Sequence, residues 1–356
     1  MKIASIGLRM VPNTAIMKRP TLRDIAALAH VSHVTVSLAL RKHHSIPKET
    51  RERIEEIARQ LGYWPDPALS ALMVYRQGAK TSKYKATLGW VNALHQLDRK
   101  DTFRRDLFDG AQERCAELGY HLEEFCLGDV DMRFERLAKV LYARNIQGLL
   151  FAPQDRNHAH ISTRSFDWDR FSAISFGFSL ARPQLDVIID AQFRASRLAF
   201  RKLRSLGYRR IGYASTHEFN ERTDCNFLSG FLCEQFRMPS AHRIPVLACS
   251  VKDFHAECRK WYDCYRPDAI FAVANVFEVL STVELEHCGV ALHDIGDDQS
   301  AFAGICQDRK LIGRVGADEV IAMIHANRRG IPEAPKRILI EGSWQDGPSA
   351  PRVTFQ

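Results

Sequence analysis

The sequence runs to 356 residues, 46% apolar and 26% charged, with a formal net charge of +8. That length and mix suit two or three domains with a sizeable core, which excludes disorder over the whole chain and any need for a metal or disulfide staple. No run of about 18 uncharged apolar residues occurs, so neither a membrane-spanning helix nor a membrane partner is expected.

The segment Met1 to Pro20 carries Lys2, Arg9, Lys18 and Arg19 and lacks an apolar stretch of secretory length. The nine cysteines are scattered with no Cys-x-x-Cys pair, as expected of reduced thiols in a cytoplasm. The charge is concentrated. Residues 1–85 hold 15 Lys+Arg against 6 Asp+Glu, a net of +9, and the other 271 residues hold 35 against 36, a net of −1. A small basic segment ahead of a neutral body points to a polyanion partner, because Lys and Arg release counterions from phosphate backbones. A solvated basic tail accounts for the charge equally well. A membrane-surface helix fits poorly, since Pro20, Pro47, Pro65 and Pro67 break the segment.

In chain order, Thr21 is the first helix cap, with Asp24 three residues on and Leu22, Ile25, Ala26 and Ala29 at helical spacing. Ser32 caps a second short helix, about His33 to Leu40, with Val36 and Leu40 on one face and Val34, Ser37 and Leu38 on others. A third starts near Pro47, turns Ile54, Ile57, Ala58 and Leu61 inward and ends at Gly62. Three short helices with a tight turn between the first two form a helix-turn-helix pattern, whose second helix is slim enough for a major groove. Asp66-Pro67 opens a further helix of about ten residues, too short to be stable alone. Gln77 to Lys85 reads as a linker.

From Ala86 strands and helices alternate, as parallel sheets covered by helices require. Strands are expected at Thr87–Asn92, Tyr120–Phe125, Gly148–Ala152, Ala173–Gly177, Val187–Asp190, Arg210–Ser215, Ile244–Leu247 and Ala269–Ala274. Helices are expected at Phe103–Leu118, Arg133–Arg144 and Phe193–Leu206. Two doubly wound halves fit the roughly 270 residues available. Asn275 ends a strand, and its amide can both donate to and accept from a ligand hydroxyl, or cap the helix that follows.

The wording of the first segment resembles the headpiece of the lactose-repressor/galactose-repressor (LacI/GalR) family. The likeness runs through Thr21-Leu-Arg-Asp-Ile-Ala-Ala-Leu-Ala-His-Val-Ser-His-Val-Thr-Val-Ser-Leu-Ala-Leu, Pro47-Lys-Glu-Thr-Arg-Glu-Arg-Ile and Leu61-Gly-Tyr-Trp-Pro-Asp-Pro. The resemblance implies phosphate contacts at Thr21, Ser32, Ser37 and Thr50, and base edges facing His33, Val34 and Leu38. Leu38 stands where the family commonly has a guanine-gripping arginine. The helix after Asp66 resembles the family's hinge helix, which places Leu72 as a minor-groove wedge. The alternative is a place for Leu72 in the large domain's core.

The likeness continues more loosely in Leu206-Gly-Tyr-Arg-Arg-Ile-Gly-Tyr, in Arg266-Pro-Asp-Ala-Ile-Phe-Ala-Val-Ala-Asn275, in Ile305-Cys-Gln307-Asp, in Gly330-Ile-Pro and at Trp344. It implies a fold with an all-α helix-turn-helix headpiece and an α/β periplasmic-binding-protein-like (type I) effector domain of two doubly wound parallel-sheet halves. Asp190, Asn275 and Gln307 would face the effector. Departures from the family pattern are Ala191 after Asp190, Asn226-Phe227 where an arginine precedes Gly230-Phe231, Val276 after Asn275, and Gly296-Asp-Asp-Gln. With no arginine at that place, a neutral sugar or polyol suits the cleft better than an anion.

No Gly-x-Ser-x-Gly elbow or P-loop appears, and His217-Glu218 lacks the second histidine of a zinc helix. No cofactor, metal or catalytic set is expected. Asp294, Asp297 and Asp298 read as a solvent-facing loop, His43, His44, His158 and His160 as solvated loop residues, and Cys258 and Cys264 as buried or inert. The expected layout is an extension over 1–17, disordered; a DNA-binding domain over 18–64; a hinge helix over 65–76; a linker over 77–86; and an effector and dimerisation domain over 87–356. The expected function is a cytoplasmic, homodimeric, sequence-specific DNA-binding repressor on a pseudo-palindromic operator, controlled by a sugar-like effector. The alternative is a cytoplasmic sugar-binding or sugar-processing protein with a non-functional helical head.

Overall fold

The structure is a computed structural model and describes residues 21–40, 46–61, 63, 86–92, 101–127, 134–154, 157, 159–161, 166–296 and 302–353. The expectations for the N-terminal extension, the hinge helix with Leu72, and the linker before Ala86 lie outside these residues. The chain divides into two units between Ala79 and Lys80.

In the first unit, α1 (Leu22–Ala29), α2 (His33–Leu40) and α3 (Lys48–Gln60) pack together. Thr21 closes a capping box: its amide and hydroxyl both reach the Asp24 carboxylate at 2.7 Å, and the Asp24 amide donates back to the Thr21 hydroxyl at 3.4 Å. His30 takes the left-handed conformation at φ 53° and ends α1. The Thr35 amide donates to the Ser32 hydroxyl at 3.0 Å, which caps α2. The core is small and aliphatic, with Ile25, Val36, Ala39 and Ile54 fully buried. Pro47 is the cap of α3 rather than its first residue, and Ala39 rather than Leu40 fills the core beside Val36.

The second unit begins with β1 (Ala86–Asn92), α4 (Thr102–Glu117), β2 (Tyr120–Cys126), α5 (Phe134–Ala143), β3 (Gly148–Phe151), β4 (Ala159–His160), β5 (Ser172–Phe176), β6 (Leu180–Arg182) and β7 (Asp186–Asp190). It continues with α6 (Gln192–Ser205), β8 (Ile211–Thr216), α7 (His217–Arg222), α8 (Asn226–Gln235), β9 (Leu247–Cys249), α9 (Phe254–Tyr265), β10 (Ala269–Ala272), α10 (Thr282–His287), β11 (Gly289–Leu292) and β12 (Ala303–Cys306). It closes with α11 (Arg309–His325), β13 (Arg337–Ile340) and β14 (Ser343–Gln345).

Two six-stranded sheets result, ordered β2-β1-β3-β5-β7-β13 and β9-β8-β10-β11-β12-β14. Every described pairing in them is parallel except β12 with β14. Each sheet repeats the 2-1-3-4-5 order of a doubly wound fold, so each has a switch point, between β1 and β3 and between β8 and β10. The strands read as near-continuous apolar runs because helices cover both faces; β3 and β10 are buried throughout. The chain crosses between lobes three times: after Asp190 into α6, after Cys306 into α11, and after Ile340 into β14.

Two strand expectations shift. Ile244–Leu247 is not a strand, and the ladder runs over Leu247–Cys249 instead. Pro245 has no N–H to give, the Pro245 carbonyl takes the Trp261 indole N–H at 2.7 Å, and the Ile244 carbonyl takes the Gln235 amide at 2.8 Å. β10 stops at Ala272, and a 3₁₀ turn over Ala274–Glu278 takes the place of its last residues.

Candidate functional site

The headpiece presents α2 to solvent along one side. His33 is exposed and Val34 is 53% exposed. Ser37 is half-buried. Leu38 is half-buried too and packs in part against the headpiece core, so its apolar body supports the fold as well as facing outward. Thr21 and Ser32 stand exposed at the first turns of α1 and α2, and Thr50, half-buried, lies in the first turn of α3. The Thr21 and Ser32 hydroxyls each accept an amide of their own helix, from Asp24 and Thr35. Leu28 on α1 is 56% exposed and was not singled out in the sequence.

In the second unit the carboxyl ends of the two sheets face each other. The Arg222 guanidinium, beyond β8, donates to the Gln154 carbonyl, beyond β3, at 2.5 Å. The Asn157 amide donates to the Glu218 carbonyl at 2.7 Å. Arg309, in the first turn of α11, donates to Asp294 in the second lobe at 2.7 Å and to Asp106 on α4 in the first lobe at 3.2 Å. Burial works against the Arg309 charge, but Asp294 and Asp106 outweigh it and leave its pKa raised. Asp294 is thus the lobe-bridging partner of an arginine and not a solvent-facing loop residue; Asp297 and Asp298 lie outside the described residues.

Asp190 and Gln307 each lie at a crossover on this edge. Asp190 ends β7, is 2% exposed, and accepts the Gln192 side-chain amide at 3.1 Å on one carboxylate oxygen. Its other oxygen is buried with no partner. Burial pushes this carboxyl up to about 7, the charge of Asp294 adds to the rise, and Gln192 and Arg309 oppose it. Gln307 follows β12 and donates to the His293 carbonyl at 3.5 Å, while its own Oε1 is buried and unpartnered. Asn275 differs from these two in its exposure. It is exposed within the 3₁₀ turn after β10, and Val273, not Asn275, is that turn's cap.

His293, at the end of β11, gave no signal in the sequence. It is 3% exposed and sits among the rings of Tyr213, Phe219, Phe227 and Phe271, at centroid distances of 5.2, 4.9, 4.9 and 4.1 Å. Neither ring nitrogen has a partner, and burial holds the imidazole down at about 3, so it is neutral. Phe227 belongs to the Asn226-Phe227 pair that departs from the family pattern, so an aromatic nest occupies the place where an arginine is expected. Phe219 is half-buried and forms the solvent-facing member of the nest.

A helix-turn-helix headpiece ahead of two doubly wound lobes defines a class, the DNA-binding regulators with a periplasmic-binding-protein-like ligand domain. A sequence profile described as "Bacterial regulatory proteins, lacI family" matches residues 21–66. The match covers 46 of the 356 residues. Over greater length it is 23% identical to the HTH-type transcriptional repressor PurR of Mannheimia succiniciproducens across 330 residues, covering 90% of this chain and 91% of that one. It superposes on the structure of a transcriptional regulator CelR–cellobiose complex with a TM-score of 0.53 and 20% identity, over 92% of this chain and 98% of the other. The Lac repressor dimer bound to operator and the anti-inducer ONPF gives a TM-score of 0.52 at 17% identity over the same shares. Among the described residues no helix is long and apolar enough to cross a membrane.

Proposed function

We propose that the protein is a sequence-specific transcriptional repressor. It acts as a homodimer on a pseudo-palindromic operator, in the cytoplasm, and a small molecule held between the lobes controls it. The observation that carries this reading is α2: a short helix capped by Ser32, with His33 and Val34 exposed on it, in the segment that matches the family profile. In this reading Thr21, Ser32, Ser37 and Thr50 position the headpiece on phosphates, and His33, Val34 and Leu38 meet base edges. Leu38 offers only apolar contact, such as to a thymine methyl, where an arginine would grip a guanine.

The ligand domain works as a clamshell. Asp190 and Gln307 lie at crossovers between the lobes, and Asn275 lies next to the β8/β10 switch point. A polyol bridging them would change the closure of the lobes. The CelR–cellobiose complex, a fold relative, is consistent with a sugar-like effector. In this reading the chain's part is binding.

Mobility shifts against fragments of the organism's genome, repeated with a panel of sugars and polyols, test the proposal. Retarded fragments that a panel member releases or tightens support it. A protein that takes up sugar and shifts no fragment is instead a binding protein with a non-functional head.

A further inference from the structure

The buried groups at the crossovers share one chemical trait: they lack hydrogen-bond donors. Asp190 Oδ2, Gln192 Oε1 and Gln307 Oε1 are all buried without a partner. Their orientation is fixed by what the rest of each side chain does. The Gln192 nitrogen donates to the Asp190 carboxylate and the Gln307 nitrogen to the His293 carbonyl, so neither amide can turn its N–H groups around. Unmet acceptors buried in this way are costly and mark a place for an absent partner.

The charges around them are committed. Arg309 is shared between Asp294 and Asp106. Arg104 pairs with Asp101 at 2.7 Å and donates to the Pro153 carbonyl at 2.8 Å. Arg222 donates to the Gln154 carbonyl. Among the described residues, the cationic side chains of this edge named here are thus occupied. Asp190, by contrast, is a buried carboxyl with no cation bonded to it. A proton on Asp190 meets only part of this deficit, since Gln307 still lacks a donor. The nearby wall is aromatic, with Phe219 as its half-buried member.

We propose that the effector carries a protonated amine that seats on Asp190, with further donors of the same molecule reaching Gln192 and Gln307. This rests on the reading of the inter-lobe edge as the effector site and sharpens it from polyols at large to aminated ones. The ammonium supplies the charge that burial denies Asp190, and a charge-assisted bond there is stronger than one from a hydroxyl. The carbon skeleton lies against the Phe219 wall, where a cation also gains from the ring faces.

The test uses the full chain and matched probes: glucosamine against glucose, and putrescine against 1,4-butanediol. Thermal unfolding midpoints are followed as each is titrated, for the wild type and for Asp190→Asn, with Gln307→Leu as a second variant. At least one amine is expected to bind about tenfold or more tighter than its hydroxyl partner. That preference should vanish in Asp190→Asn, and Gln307→Leu should weaken both members of the pair alike. Equal shifts from amine and hydroxyl partner, no shift from any amine, or an amine preference that survives in Asp190→Asn would each overturn the assignment. DNA binding by the unliganded wild type, measured on the same preparation, reports separately on the regulator reading.

Discussion

Asp190 and His293 titrate in opposite senses over one pH range. The Asp190 carboxyl, near 7 when folded and about 3.9 when unfolded, keeps its proton in the native state after the unfolded chain has shed it. Its contribution to stability is full below about pH 4 and is lost as pH rises through 7, at most about 4 kcal/mol. The His293 imidazole, near 3 when folded and about 6.5 when unfolded, does the reverse. Its contribution is full above about pH 6.5 and drains away as pH falls toward 3, at most about 5 kcal/mol. Asp190→Asn should therefore raise the unliganded unfolding midpoint at pH 8 while changing it little at pH 4. His293→Phe, which keeps a ring in the nest, should reduce the loss of stability between pH 6.5 and pH 4. Midpoints measured across that range in both variants check the account, and slopes identical to wild type would contradict it.

Val34 separates recognition from folding at the same scale. With 53% of it exposed, Val34→Ala should change the unfolding free energy by no more than about 0.5 kcal/mol. It should nevertheless alter base preference at one position per half-site in a binding selection. A change in stability with no change in base preference would move Val34 off the reading surface. Asp190 stood out in the sequence as the end of a strand, and Gln307 only through the family resemblance at the crossover. Arg309 and His293 were not legible. Arg309 matters through Asp294 and Asp106, which are 15 and 203 residues away in the chain. His293 matters through four rings on four other elements, and no spacing in the chain encodes that meeting.

Among the elements, the contact of α4 with α11 fixes the place of Arg309. Gly110 on α4 and Gly313 on α11 let the two backbones touch: a Cβ on Gly313 would lie 2.0 Å from the Leu107 carbonyl oxygen, and one on Gly110 2.1 Å from that of Lys310. Both approaches are far inside van der Waals contact, and the obstacle is backbone that cannot rotate away. Gly313→Ala should cost about 1–3 kcal/mol by forcing the helices apart, and should also loosen the Arg309 bridge to Asp294. Denaturant unfolding with ligand titration checks both, and a fully stable variant would show that the helices slide without penalty. Helices and strands of this kind were largely readable from periodicity and caps. The headpiece came out within a residue or so because Thr21, Ser32 and Pro47 punctuate it. The strand placed at Ile244 failed because β-branched and apolar composition says nothing about whether side chains elsewhere have claimed the backbone carbonyls.

For the whole molecule, the account joins a basic head that reads DNA to a neutral body that reads a small molecule. The excess charge of +9 in the first 85 residues serves the first task, and the body's −1 leaves the second free of it. Leu72 lies outside the described residues, yet the reading assigns it a wedge in the minor groove. Leu72→Ala should then weaken specific binding by a few kcal/mol, the scale of one unstacked base step, and spare ligand affinity. An equal fall in the unfolding midpoint of the ligand domain would place the residue in that domain's core instead.

The central claim, that this is a sequence-reading DNA-binding protein, is tested most directly by selecting bound duplexes from a random pool with the full chain and titrating the enriched sequence with salt. The account expects one pseudo-palindromic motif with two related half-sites. It also expects log affinity to fall linearly with log salt, with a slope that reports several phosphate contacts. A pool that stays random after repeated rounds, or an affinity indifferent to salt between about 50 and 200 mM, would contradict it.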